Sequence, residues 1–385
     1  MNSALKNHAA YINNKVDTNE ISLSQYISTD NILQNKQGIE CATSLPIQGG
    51  KVTSFKKGDI LLANIRPYLK KIWYAQFDGG CSADVLAIRA NAETDSHFLF
   101  YALFRDDFFI HAMKGAKGTK MPRGDKTQIM EFKIPVFDLK TQQSIAAVLS
   151  ALDKKISLNK QINARLEEMA KTLYDYWFVQ FDFPDANGKP YKSSGGEMVF
   201  DETLKREIPK GWEVKSLGEI ADLYQPATLS EKELNKNGQF LVYGANGIIG
   251  KYNKFNHENP VVAVACRGNS CGAINITQPK SWITGNAMVV NPKNKNMCID
   301  FIKNTLLVNN LDKVVSGSAQ PQITRTNFAP LKVITPNESL LKLYSDIINP
   351  MFKKRINRIQ QNTKLTQLRD FLLPMLMNGQ VSVAD

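Results

Sequence analysis

The sequence predicts an α/β protein: two mixed α/β domains joined by two long antiparallel coiled-coil helices, arranged as an internal repeat with a pseudo-two-fold axis. Three observations carry this expectation. Residues recur at a register of 199, with Gly118, Pro122, Thr127 and Lys133 returning as Gly317, Pro321, Thr326 and Lys332. Lys154-Lys155, Asn163, Leu166 and Leu173 return in the same register as Lys353-Lys354, Asn362, Leu365 and Leu372. Short apolar runs bounded by Gly, Asn and Pro occur in both halves, and each half closes on a stretch with apolar residues three and four apart.

Taken in order, residues 1–138 form the first α/β domain. Leu5 to Tyr11 loosely mirrors Leu217 to Tyr224, and the strand Ile60-Leu61-Leu62-Ala63-Asn64-Ile65 ends on Arg66. A second strand covers Asp84–Arg89, and a helix follows over 96–113. Met1 falls just inside this domain, without a counterpart of the Pro209–Leu217 lead-in to the second.

Residues 139–180 are a helical spacer with Thr141 as its N-cap and Ile145, Val148, Leu149, Leu152, Ile156, Leu166, Met169, Leu173 and Trp177 on its seam. Asn159 and Asn163 interrupt that seam as register-fixing polar residues. About 38 residues at 1.5 Å each make a rod of roughly 55 Å. A connector occupies 181–208.

The second domain, 209–336, repeats the plan. Val261 to Cys266 ends on Arg267 as the first run ends on Arg66, Ala287–Val290 is a strand, and 298–315 is helical. Residues 337–385 form the second spacer, where Pro350 removes a backbone donor and is expected to kink or break the helix. Neither helix can hide a one-sided apolar stripe alone, so they are expected to pair with each other.

Charge points to a polyanionic partner. The chain has 385 residues, 48 Lys and Arg against 36 Asp and Glu, a net charge of +12 and a pI near 9.3. The excess is +3 over 1–138, zero over 139–208, +6 over 209–336 and +3 over 337–385. Two separate basic surfaces therefore describe it better than one basic tail. Hydrophobic content of 43% and charged content of 22% exclude disorder, and no apolar run approaches a bilayer span. The N-terminus lacks the layout of a secretory signal, so a cytoplasmic location is expected. Cys41, Cys81, Cys266, Cys271 and Cys298 are an odd, scattered set that argues against a disulfide framework or structural zinc.

The sequence offers no catalytic constellation and no metal site. Gly244 to Tyr252 resembles a phosphate loop but has Ala245 where the first glycine would stand and Tyr252 where Ser or Thr would hold magnesium. The Asn/Asp-Pro-Pro-Tyr motif of amino-methyltransferases is missing. Glu131-Phe132-Lys133 has nuclease-like spacing but lies in an apolar strand, and His8, His97, His111 and His257 are far apart in sequence.

One stretch carries a family likeness. Tyr174-Asp175-Tyr176-Trp177-Phe178-Val179-Gln180-Phe181-Asp182-Phe183-Pro184, then Asn187-Gly188-Lys189-Pro190-Tyr191, then Ile208-Pro209-Lys210-Gly211-Trp212-Glu213-Val214 closely resembles the central region of type I restriction-modification specificity subunits. Tyr243 to Gly250 and the closing Phe371 to Gln380 extend the resemblance over the whole chain. It implies a non-catalytic DNA-binding subunit with two target-recognition domains, each reading half of a bipartite site on double-stranded DNA, while the helices set the gap. Two methyltransferase subunits and, in the full complex, two restriction subunits are the implied partners, with no membrane. S-adenosylmethionine, ATP and magnesium are expected on those partners, and no cofactor on this chain. Directed N6-adenine methylation and ATP-dependent cleavage follow from the same likeness. A self-contained modification enzyme or nuclease, and a helical scaffold that binds no DNA, are the competing classes.

DNA readers need cations for phosphates and planar or amide groups for base edges. In the first domain these are Arg66, Tyr68, Lys70 and Lys71 after the strand, with Lys117, Lys120 and Arg123 in the loop Lys114–Arg123. In the second they are Arg267, Asn269 and Ser270, the turn at Tyr243 and Asn246, and Gln320, Gln322 and Arg325 in the loop Gly317-Ser318-Ala319-Gln320-Pro321-Gln322-Ile323-Thr324-Arg325. A solvated loop residue is the competing reading at each position. Because the two sets differ, the half-sites should differ.

Overall fold

The computed structural model describes residues 2–46, 49–317 and 320–383, so Ser318 and Ala319 of the second loop lie outside the described residues. The chain forms two compact units, one of residues up to 158 with 361 onward, the other of residues 159–360. Each long helix therefore contributes half its length to each unit.

In the first unit a four-stranded antiparallel sheet runs in the order Ala9–Tyr11, Val85–Ala90, Ile60–Ala63, Ile72–Tyr74. Ile60 and Leu62 face one side, Leu61 and Ala63 the other, because strand side chains alternate. The first side packs on helix α1 (Ser96–Phe104), helix α2 (Asp106–Lys114) and Ile145, Leu149, Leu373 and Leu376 of the long helices. The other side, which includes Trp73, meets Phe55 and Cys81, where a second four-stranded sheet closes the core. Burial on both faces explains why these strands read as unbroken apolar runs. The helix expected over 96–113 is two helices. Arg105 is extended (φ −68°, ψ 149°), and the Asp106-Asp107 pair restarts α2 with acidic residues at its positive end. Helix α3 (Lys126–Met130) leads into the strand Lys133–Pro135.

That closing strand pairs with Asn2–Ala4, and Leu5 N–H donates to the Phe132 carbonyl at 2.8 Å. In the second unit Glu213–Ser216 pairs with Lys332–Thr335, and Leu217 donates to Leu331 at 2.8 Å. The strand of the lead-in thus has a counterpart at Asn2–Ala4, correcting the expectation that it has none.

The second unit builds the same sheet from Ala221–Tyr224, Ala287–Pro292, Val262–Ala265 and Ile274–Ile276. Helix α5 (Leu217–Ile220) precedes it. Helix α6 (Ile299–Val308) covers one face, and the helical stretch expected to reach residue 315 breaks at Asn309. Helix α7 (Arg325–Phe328) repeats α3. Residues 181–208 add to this unit's core: Phe183 stacks between Tyr191 and Trp212 at centroid separations of 4.6 and 5.0 Å.

The pairing Ile60 with Ile88 recurs as Val262 with Val290, and Ala63 with Val85 as Ala265 with Ala287. The strand repeat is therefore offset by 202, one more than matching Arg66 to Arg267 requires. Arg66 corresponds to Gly268, and Ile65 to Arg267. A one-residue slip exchanges the two faces of a strand, so packing decides the register and the arginine match is incidental.

The first long helix, α4 (Leu139–Tyr174), continues into a wider turn over Asp175–Val179. Its N-cap is Asp138, not Thr141: the Asp138 carboxylate accepts the Thr141 N–H at 2.9 Å, and this bond holds its pKa below the ordinary value. The second, α8 (Glu338–Met377), is helical through Pro350, so the expected break is absent. Ile348, buried in the core, and Met351, half-buried against it, flank the proline and offset the lost backbone bond.

Within each unit the two helices run antiparallel. In the first, Asp153 pairs with Arg369 and the Ile156 carbonyl accepts from Asn362 Nδ2 at 3.2 Å. In the second, Asn163 Nδ2 donates to the Arg355 carbonyl at 3.1 Å and Tyr344 Oη to the Ala170 carbonyl at 3.3 Å. Asn159 is buried at the seam. Among the described residues no helix is long and apolar enough to cross a membrane.

Candidate nucleic-acid interface

The end of the strand Ile60–Ala63 is tied to the following loops by a short backbone ladder. Asn64 N–H donates to Asp84 at 2.8 Å, Gly124 N–H to Asn64 at 3.0 Å and Arg66 N–H to Pro122 at 2.7 Å. Lys117 and Arg123 exchange backbone bonds of 3.0 and 2.9 Å, closing a hairpin that turns at Gly118 (φ +97°). Arg66, Lys117 and Arg123 are thus brought together, Tyr68 stands half-exposed on the adjoining turn Pro67–Leu69, and Lys120 lies exposed in the hairpin loop.

Their charges are not equally available. Lys70 Nζ pairs with Asp106 at 2.9 Å, and Asp106 also takes Lys36 at 2.6 Å. Partial burial favours the proton on Asp106, yet the two lysines hold its carboxyl below the ordinary value. The Lys71 ammonium donates to the Thr29 carbonyl, and Arg123 pairs with Asp84 at 2.6 Å. Lys70 and Lys71, two of the expected readers, tie loops together. Their partners are far away in sequence and carry no local signal. Among the described residues, the side chains of Arg66, Lys117 and Lys120 have no such partner.

The second unit repeats the ladder. Cys266 N–H donates to Asn286 at 3.1 Å, Ile323 N–H to Cys266 at 3.0 Å and Gly268 N–H to Pro321 at 3.1 Å. Arg267 bridges to Gln322, and Gly317 (φ +83°) sits in the loop between the paired strands Val315–Ser316 and Gln322–Ile323. Arg267, Asn269, Gln320, Gln322 and Arg325 are exposed and Ser270 is half-buried. Arg325 is the first residue of α7, whose cap is the Thr324 hydroxyl accepting from Asn327 N–H at 3.3 Å.

Two expected readers of the second domain separate. Tyr243 is buried with Val261, Ala263 and Ile283, its Oη accepts the Gln278 N–H at 3.1 Å, and burial pushes its phenol up. It is a core residue because it lies on the inward face of the strand Phe240–Gly244. Asn246 is exposed, but on the hairpin to Gly247–Tyr252, beside the exposed Ile248 and Ile249 that sequence reasoning passed over.

The family described as "Type I restriction modification DNA specificity domain" matches residues 5–168 and 209–367. The chain is 24% identical to the type I restriction enzyme HindI specificity subunit of Haemophilus influenzae, over 96% of this chain and 97% of that one. It is 27% identical to the MjaIX specificity subunit of Methanocaldococcus jannaschii, over 75% of this chain and 70% of that one. The crystal structure of a type I restriction-modification S subunit from M. genitalium shares the fold, with a TM-score of 0.58, 17% identity and coverage of 98% of this chain and 96% of that one.

Proposed function

Because the chain belongs to the type I restriction-modification DNA specificity family, we propose that it reads a bipartite, asymmetric site on double-stranded DNA, one half with each unit. The observation that carries this is the twice-built ladder: one backbone frame at Asn64–Arg66 with Pro122–Gly124 and again at Cys266–Gly268 with Pro321–Ile323, bearing different exposed side chains. A shared frame positions, and differing side chains specify. In the first unit Arg66, Tyr68, Lys117, Lys120 and Arg123 line the reading surface. In the second it is Arg267, Asn269, Ser270, Gln320, Gln322 and Arg325, with Asn246 on the neighbouring hairpin.

The chain itself is a non-catalytic subunit acting in the cytoplasm. Two methyltransferase subunits dock on the long helices, which expose Leu158, Met169, Leu343, Ile347, Leu368 and Phe371, the last 62% accessible. These partners bring S-adenosylmethionine and direct N6-adenine methylation. Two restriction subunits bring ATP and magnesium for cleavage.

The decisive experiment is methylome sequencing with and without this gene. Loss of N6-methyladenine at one bipartite motif supports the function, and an unchanged methylome overturns it. Binding of cognate DNA by the complex should weaken with salt. About five phosphate contacts give a log–log slope of about −4.5, and a salt-independent titration is the result expected of a scaffold that binds no DNA. A Gln320→Ala/Gln322→Ala variant should relax the second half-site by roughly tenfold or more in base discrimination while leaving the first intact, read from the same methylome.

A further inference from the structure

We infer that Arg66 is the residue that makes the first half-site require a guanine, an assignment that rests on the DNA-reading function proposed above. Two arginines stand in the first unit's ladder. Arg123 shares one guanidinium nitrogen with Asp84 at 2.6 Å, and the nearby Lys70 and Lys71 are paired with Asp106 and the Thr29 carbonyl. Arg66 is exposed, and among the described residues its guanidinium has neither a hydrogen bond nor an ion pair. Lys117 and Lys120, also unpaired on this surface among the described residues, are point charges suited to phosphate. A planar fork offers guanine O6 and N7 two parallel N–H donors in fixed geometry, which a flexible ammonium does not.

The backbone gives an independent reason. Arg66 holds φ +51° and ψ +63°, a left-handed conformation, although it precedes Pro67, which favours extended backbone. The equivalent position in the second unit is Gly268 at φ +76°, bonded to Pro321 as Arg66 is bonded to Pro122. The frame therefore calls for glycine here, and the first unit carries arginine against that preference. A side chain kept at a strained, exposed position with no internal partner faces a partner outside the chain. The second unit has no side chain at this place, so its half-site is read from other positions.

The test uses the complete methylation complex in cells, with methylome sequencing of the wild type, Arg66→Gly and Arg66→Lys. Glycine suits the backbone, so the fold survives the first change. Lysine keeps the charge and removes the fork. The wild-type motif should contain a guanine in one half-site, and both variants should accept other bases at that one position, with discrimination falling about 10- to 100-fold. The second half-site and the gap should stay unchanged. A guanine requirement that survives either variant, or a uniform fall in methylation with the motif intact, overturns the assignment and leaves the DNA-reading function standing. A wild-type complex that methylates no bipartite motif overturns both.

Discussion

Arg355→Ala should destabilise the second unit by about 3–5 kcal/mol, the cost of leaving a buried charge without its partner. Asp300, only 3% accessible, sits at the start of α6 and receives the Arg355 guanidinium at 2.9 Å. Arg355 also lies 3.5 Å from Glu167 of α4, which pairs with Lys303 of α6. Burial pushes the Asp300 carboxyl up, and Arg355 opposes that shift. Without Arg355 the folded-state pKa of Asp300 rises further above its unfolded value. A raised folded-state pKa means that the folded state binds more protons, so stability is lost as pH rises from the unfolded pKa through the folded one. The variant should consequently regain part of its deficit as the pH is lowered toward the ordinary carboxylate range. Denaturant unfolding followed by the fluorescence of Trp177 and Trp212, both in the same core, reads the effect. Arg355→Met/Asp300→Asn should recover most of the loss, since no charge is then left buried. A single-variant deficit below about 1 kcal/mol would show that the pair is solvated and contributes little.

Lengthening the two long helices together should change the gap of the recognised site and nothing else. Four residues inserted after Leu158 in α4 and four after Gln360 in α8 add about one helical turn, near 6 Å. At about 3.4 Å per base pair this is one to two base pairs of DNA. Four residues advance a helix by about one turn plus 40°, so the apolar seam stays nearly aligned only if both helices change. Methylome sequencing should return the original half-sites with a longer gap. Insertion into α4 alone should abolish methylation, because the Asp153–Arg369 and Asn163–Arg355 contacts lie on either side of the insertion and cannot both keep their register. Altered half-site bases, or a gap that ignores the paired insertion, would sever the link between helix length and spacing.

Local periodicity explains what was readable before the structure. Both long helices and the strands at Ile60–Ala63 and Ala287–Pro292 are properties of nearby residues: three-and-four spacing, short apolar runs and turn formers. The loops that carry the proposed readers stood out for the same reason: a strand running into Asn64-Ile65-Arg66-Pro67 and a loop of Gly, Lys, Gln and Arg are local features of the chain. Pro350 shows the limit of such rules, since its local cost is outweighed by the packing of Ile348 and the half-buried Met351 against the core.

By itself, then, the sequence determined the doubled architecture, the helical spacers, the basic character of both halves and the loops that could face DNA. Tertiary structure alone decided that Arg66 answers to Gly268, that Tyr243 turns inward, and that Lys70, Lys71 and Arg123 are held by Asp106, Thr29 and Asp84. It also decided that Arg355 and Asp300 form a buried pair 55 positions apart. The physical reason is the same in each case. Which face of a strand is buried, and which charge meets which, depends on partners that sequence separates and packing brings together.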